Sequence, residues 1–158
     1  MYANDCARKC SMIAIPSYSR RTHPDVRKDK ELKPNSMSAT LDLIYADQLT
    51  FEEMITCAMA CSVERITCDL VRKEHCWYTK EFTFGTHPFP TGMRTKIADS
   101  FQEERLRIAI ASIDAGELSA FDFTEELMAS GVAIVHFFLR TQKNIYLGLQ
   151  GRMYTETW

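Results

Sequence analysis

Residues 119–137, SAFDFTEELMASGVAIVHF, contain a helix start, a helix end and a strand in direct succession. Ser119 is a typical N-cap residue, because its hydroxyl can accept a hydrogen bond from a free backbone N–H of the first turn. Gly131 is typical of a helix end, where glycine readily adopts a left-handed backbone. Val135 and Phe137 then occupy alternate positions, as in a half-buried strand. The segment therefore predicts a helix that leads directly into a strand.

The same succession is present earlier in the chain, and a shift of 69 residues superposes the two copies without a gap. The superposed residues are alike: Thr50 with Ser119, Met59 with Met128, Val63 with Val132, Ile66 with Val135, Leu70 with Leu139 and Trp77 with Tyr146. We interpret the match as an internal repeat, with units at about residues 40–82 and 108–158. One helix–helix–hairpin unit cannot bury its own apolar face. The two units are therefore expected to pack as one α+β domain with an antiparallel sheet.

Further capping and turn signals delimit the remaining elements. Residues 50–53 (TFEE) and 100–103 (SFQE) both match the capping box, in which the first and last side chains bond to each other's backbone N–H. Each motif predicts a helix, and the second helix is expected to end at Gly116. Residues 72–74 (RKE) predict a turn between two strands, and residues 85–92 (GTHPFPTG) predict an irregular linker between the units.

The composition is that of a globular protein, with 46% apolar and 25% charged residues in a chain of 158. Within residues 1–36, Lys and Arg outnumber Asp and Glu by four. Because the whole chain carries a net charge of −2, residues 37–158 carry −6. We expect residues 1–36 to be an irregular N-terminal extension and residues 37–158 to form a single domain. Because that domain is acidic and has no basic stripe, nucleic acid is not an expected partner.

Several kinds of site have no motif in this sequence. The six cysteines lack the tight pairs typical of zinc sites, so no metal is expected. Phosphate-binding and dinucleotide-binding glycine motifs are missing as well, so no cofactor is expected. Apolar runs reach only four or five residues, whereas a membrane span needs about 18. With no secretory signal in view, the sequence predicts reduced thiols, a cytoplasmic location and no membrane association.

Few side chains are placed for catalysis. His87 lies in the predicted linker, and linkers carry function more often than cores do. Cys76 follows a histidine directly, but neighbours in a strand point to opposite faces, which separates that thiol from the imidazole. No catalytic residue is assigned. The alternative, a small enzyme with a cryptic site between the two repeats, would draw on His87, Cys76, His136 and Asp69.

Three aromatic residues near the C-terminus, Phe138, Tyr154 and Trp158, stand at positions expected to point away from the core. They would form an apolar binding face, or else pack in a second core layer. The function expected from the sequence is that of a non-catalytic interaction or accessory protein. Its partner would be another protein or a second copy of the chain, as in a homodimer.

Glycine and helix-end motifs in the C-terminal half resemble those of the small prophage-associated proteins labelled "phage envelope protein", the YbcV-like domain of unknown function. The motifs are KIA at 96–98 with Phe101, DAG at 114–116, MASGV at 128–132, and YLG at 146–148 with Gly151 and Glu156. The resemblance extends over about residues 40–158, departs from the family at residues 61–62, and has no counterpart for residues 1–36. It implies a fold and a phage or bacterial origin, but no activity.

Overall fold

The computed structural model describes residues 36–81 and 84–158, which form four helices and six strands. The helices are α1 (Met37–Tyr45), α2 (Phe51–Ala60), α3 (Glu103–Asp114) and α4 (Ala120–Ala129). The strands are β1 (Val63–Asp69), β2 (Glu74–Thr79), β3 (Phe84–Pro88), β4 (Val132–Phe138), β5 (Lys143–Gly148) and β6 (Met153–Thr157). The predicted extension, residues 1–36, lies outside the described residues except for Ser36, whose hydroxyl caps α1.

The strands form one sheet in the order β3-β2-β1-β4-β5-β6, and every neighbouring pair is antiparallel. The mixed α+β class with an antiparallel sheet is thereby confirmed. The two central strands, β1 and β4, pair with Thr67 opposite His136 at the middle of their register.

The helices of the described chain pack on one face of this sheet, here called the helix face. Alternate residues of β1 and β4 point to that face and are buried, among them Ile66, Val135 and Phe137. They join a single hydrophobic core with side chains from all four helices, such as Leu41 and Leu106. The other side of the sheet, here called the open face, has no described helix packed on it.

Two of the predicted helix starts are confirmed. Thr50 and Glu53 make the reciprocal capping-box bonds, with Thr50 N–H donating to Glu53 Oε2 at 2.7 Å. Ser119 Oγ accepts the backbone N–H of Asp122 at 3.0 Å. Each cap satisfies a donor that the first turn of a helix leaves free.

The predicted capping box at residues 100–103 is wrong. Helix α3 begins at Glu103, and its N-cap Gln102 makes no side-chain capping bond. The backbone before α3 is bonded instead to the end of α4, because Gln102 N–H donates to the Ser130 carbonyl at 2.8 Å. This tertiary pairing places Ser100 alongside α4 and away from the cap position.

The linker predicted for residues 85–92 is also wrong in its first half. Residues 84–88 form the edge strand β3, with His87 opposite His75 on β2. Pro88 is compatible with this position, because it ends an edge strand, where a missing backbone N–H is tolerated. The predicted hairpin is therefore extended by a third strand, and β6 extends the second hairpin in the same way.

The 69-residue spacing of the sequence recurs in the bounds of the elements. Helices α2 and α4 begin 69 residues apart, and so do β1 and β4, β2 and β5, and β3 and β6. The strand pairing is irregular between Val63 and Arg65, and again between Val132 and Ile134.

Candidate functional site

The open face is arranged in three rows of side chains that run across the strands. One row, the basic row, contains Tyr78, Arg65, Phe138 and Lys143. The middle row contains Cys76, Thr67, His136 and Ile145. The acidic row contains Glu74, Asp69, Ile134 and Leu147. The edge strands add Phe84, which is 71% exposed, and Met153, which is 60% exposed. A sheet face of this kind is unusually apolar for a surface open to water.

Arg65 lies between two aromatic rings at the centre of the basic row. Its guanidinium carbon is 4.2 Å from the centroid of the Tyr78 ring and 6.0 Å from that of Phe138. Both distances are within the range of cation–π attraction. Arg65 Nε is buried and has no hydrogen-bond partner in the described part of the chain. The arginine is thus held by the rings while one of its donors stays unused.

His136 is fixed at the centre of the middle row. Its Nδ1 is 2.9 Å from Thr67 Oγ1 on the neighbouring strand. Partial burial, together with the charge of Arg65, lowers the pKa of this imidazole. His136 is therefore neutral at neutral pH and serves the face as a hydrogen-bonding, uncharged side chain.

Cys76 lies in the same row but does not meet His136. Thr67 stands between them, and two strand spacings separate the positions by about 10 Å. Burial, and next the carboxylate of Glu74, raise the pKa of the Cys76 thiol. The thiol is consequently protonated at neutral pH and is a poor nucleophile. Asp69 does not assist it, because its carboxylate also raises the pKa of this thiol.

His87, the fourth catalytic candidate, points to the helix face. Its Nε2 is 2.8 Å from Asp42 Oδ1 of α1. The sheet itself therefore separates His87 from Cys76, His136 and Asp69. The structure does not bring the four candidates together, and they form no common site.

A cysteine–histidine pair that the sequence analysis missed lies on the helix face. Cys68 Sγ is 3.1 Å from His75 Nδ1, His75 Nε2 is 2.8 Å from Tyr45 Oη, and Tyr45 Oη is 3.2 Å from Thr124 Oγ1. The predicted turn at 72–74 would place Cys68 opposite Tyr78. The turn instead spans residues 70–73, which brings Cys68 opposite His75. Because Cys76 directly follows His75 in the sequence, that pair was considered above and not Cys68.

The donor and the acceptor of each hydrogen bond in this series follow from the last bond, which Thr124 makes. Thr124 donates its hydroxyl to the Ala120 carbonyl at 2.7 Å, so Tyr45 must donate to Thr124. Tyr45 then accepts from His75 Nε2–H, which leaves His75 Nδ1 as the acceptor of the Cys68 thiol. All members are neutral, which matches the electrostatics: burial raises the pKa of Cys68 and Tyr45 and lowers that of His75 to about 3.

This arrangement predicts that Cys68 resists alkylation in the folded protein. The thiol is protonated and buried, and thiolate exposure controls reaction with iodoacetamide. Peptide mapping by mass spectrometry should find Cys68 unmodified in buffer, where the partly exposed Cys76 reacts slowly, and both thiols modified alike in denaturant. Faster alkylation of Cys68 than of Cys76 in buffer would reveal an accessible, activated thiol and contradict the assignment.

The C-terminal aromatic residues divide between the two faces. Phe138 lies on the open face, in the basic row. Tyr154 packs against Tyr146, with ring centroids 6.0 Å apart, and Trp158 packs against Phe51 at 6.4 Å. Tyr154 and Trp158 thus belong to a core layer on the helix face, the second of the two alternatives considered above.

Trp158 also closes a second polar cluster on the helix face. Its indole Nε1 donates to Asn144 Oδ1 at 3.0 Å, while Asn144 Nδ2 donates to Glu156 Oε1 at 2.9 Å. Tyr146 donates its hydroxyl to the same Glu156 oxygen at 2.6 Å. The cluster borders a cavity of about 20 Å³, which is room for a single water molecule. These groups satisfy one another, and the arrangement is that of a buried structural network.

A comparison with models of known protein families finds no match, and a search of curated proteins finds none either. Within residues 36–81 and 84–158, no helix combines the length and apolarity required to cross a membrane. In the same ranges, no group of three or more His, Cys, Asp or Glu residues is placed to hold a metal ion.

Proposed function

We propose that this protein is a non-catalytic protein-interaction module that binds through the open face of its sheet. The observation that carries the proposal is Arg65, held between Tyr78 and Phe138 with a buried, unused donor. Arginine and tyrosine are among the residue types that dominate binding energy at protein interfaces. A partner carboxylate beside this guanidinium would give Arg65 the charged partner that it lacks among the described residues.

The distribution of exposed apolar residues supports the same surface. Six large apolar residues are exposed in the described chain, and three of them, Tyr78, Phe84 and Met153, lie together on the open face. The other three lie apart: Ile108 on α3, Val71 after β1 and Leu149 after β5. Three such residues on one sheet face are typical of an interaction site, whereas scattered single residues such as Ile108 are ordinary. On this view the helix face builds the core and the open face is left for binding.

The alternative, a small enzyme with a cryptic Cys/His site, has one observation in its favour, the bond between Cys68 and His75. Nucleophilic catalysis requires a thiolate, or a base able to generate one, within reach of a substrate. Here both groups are buried, and burial favours the neutral form of each. The pair is better explained as a satisfied polar network in the core.

The repeat is part of the proposal: the chain is a tandem duplication of one helix–helix–hairpin unit, at about residues 40–82 and 108–158. The common 69-residue spacing of four pairs of elements supports it, as do the two pairing irregularities at the same spacing. Thr67 and His136, themselves 69 residues apart, are opposite each other where β1 meets β4. The duplicated units would then be related by a local two-fold axis near this pair.

The prophage-associated resemblance and the cytoplasmic location remain predictions from the sequence. The family resemblance implies an accessory role in a phage or a bacterium, and it names no partner. The proposal for the open face does not depend on it.

Site-specific photo-crosslinking in source cells tests the proposed function. A benzophenone amino acid is placed at position 84 on the open face or, as the matched control, at position 108 on α3, where Ile108 is 59% exposed. We expect protein adducts from position 84, to this chain or to another, and few from position 108. Equal yields at the two positions, or none at position 84, would contradict the proposal.

A further inference from the structure

The charges of the open face are segregated by row. Arg65 and Lys143 are in the basic row, while Asp69 and Glu74 are in the acidic row, on the far side of the middle row. Arg65 and Asp69 are on the same strand, β1, four residues apart. The face is therefore positive along one side and negative along the other.

We propose that the occupant of this face is a second copy of the chain, packed sheet against sheet about a two-fold axis that runs along the middle row. The inference rests on the proposed function, in which the open face is the binding surface. A two-fold axis along a row places each strand over the same strand of the other copy. The two strands then run in opposite directions. Arg65 of each copy then faces Asp69 of the other, so the same ion pair forms twice.

The opposite choice of axis fits less well. A two-fold axis parallel to the strands would place the basic row over the basic row and the acidic row over the acidic row, which brings like charges together. With the axis along the middle row, the residues that meet their own copies are Cys76, Thr67, His136 and Ile145, which are all uncharged at neutral pH. Sheets commonly pack face to face in this aligned manner, with apolar side chains between them.

The bonds within each chain leave the ion pair available. Asp69 uses one carboxylate oxygen to accept the backbone N–H of Arg72, and the side chain of Arg72 pairs with Glu74 at 2.8 Å. Within the described chain, Asp69 forms no ion pair with a Lys or Arg side chain. Arg65, for its part, forms no ion pair with a carboxylate of the described chain. Each copy thus supplies a carboxylate for Arg65 of the other copy and a cation for its Asp69.

Charge exchange tests this arrangement, with the association state measured by light scattering over a concentration series. We expect the full wild-type chain to be a dimer. Arg65→Glu and Asp69→Arg, made singly, each place like charges opposite each other and should weaken the dimer at least about tenfold. Arg65→Glu combined with Asp69→Arg restores opposite charges across the axis and should restore the dimer. Far-UV circular dichroism checks that each variant is folded.

Ile145→Lys gives an independent test that leaves the β1–β2 turn intact. It places two like charges near each other across the axis, so the variant is expected to be a folded monomer. A wild-type chain that is monomeric at every concentration, or a double variant no more dimeric than the single ones, would overturn the proposal. A monomeric chain that still forms adducts to another protein from position 84 would overturn only the second-copy inference. Lack of adducts to any protein would overturn the proposed function itself.

Discussion

Replacing Gly131 with alanine is expected to lower the free energy of unfolding by about 2 to 5 kcal/mol. The backbone at Gly131 has φ +80°, where a Cβ is strained, and that Cβ would lie 2.3 Å from the carbonyl oxygen of Ser100. The obstructing atom belongs to the backbone, and the bond from Gln102 N–H to the Ser130 carbonyl holds this segment in place. Chemical denaturation monitored by circular dichroism measures the change.

Gly116→Ala is the matched control. Gly116 also has a left-handed backbone, with φ +71°, but nothing lies within 4 Å of its would-be Cβ. Its substitution should cost only the conformational strain, about 1 to 2 kcal/mol. The difference between the two variants isolates the contact between the end of α4 and the segment before α3. Equal losses would mean that this close approach does not exist in solution.

The protein is expected to lose about 2 kcal/mol of stability between pH 8 and pH 5 through His75 alone. Burial, and to a smaller extent the nearby His87, lower the pKa of His75 in the folded state from 6.5 to about 3. Between those two values the unfolded chain binds a proton at this imidazole and the folded chain does not. Stability is therefore lost as the pH falls below about 6.5. Tyr45 and Cys68, which contact His75, have raised pKa values and stay neutral throughout this range.

Urea unfolding at a series of pH values tests this effect. His75→Gln should flatten the dependence between pH 5 and pH 8, whatever its effect on stability at pH 8. His136→Gln is the control, because the imidazole of His136 is only partly buried and its protonation is penalised less. An unchanged slope in His75→Gln would show that this imidazole is accessible to protons in the folded state.

Short sequence motifs predicted much of this fold because the hydrogen bonds behind them join residues that are close in the sequence. The caps at Thr50 and Ser119 depend on bonds within one turn of a helix, so three or four residues suffice to identify them. The same pattern at Ser100 predicted a cap that does not form, because backbone bonds to the distant residue Ser130 determine where α3 begins. Strand β3 was missed for a related reason: an edge strand with exposed alternate residues has no apolar pattern of its own.

The candidate site was less accessible to sequence reasoning. Cys68 and His75 lie opposite each other because the turn spans residues 70–73, whereas the predicted turn at 72–74 gives a different register. Tyr45 and Thr124 complete the network from two helices whose packing no local signal encodes. Arg65 alternates with apolar residues in a strand and resembles an ordinary solvated arginine. Only the pairing of β1 with β2 and β4 reveals the two aromatic rings beside it.

The most direct test of the open face is carbene footprinting of the purified chain at increasing concentration, read out by mass spectrometry. The account predicts that labelling of Phe84, Phe138 and Met153 falls as the concentration rises, while labelling of Ile108 on α3 stays constant. Constant labelling of the open face, or protection of Ile108 in its place, would contradict the claim that the uncovered side of the sheet binds a second copy of the chain.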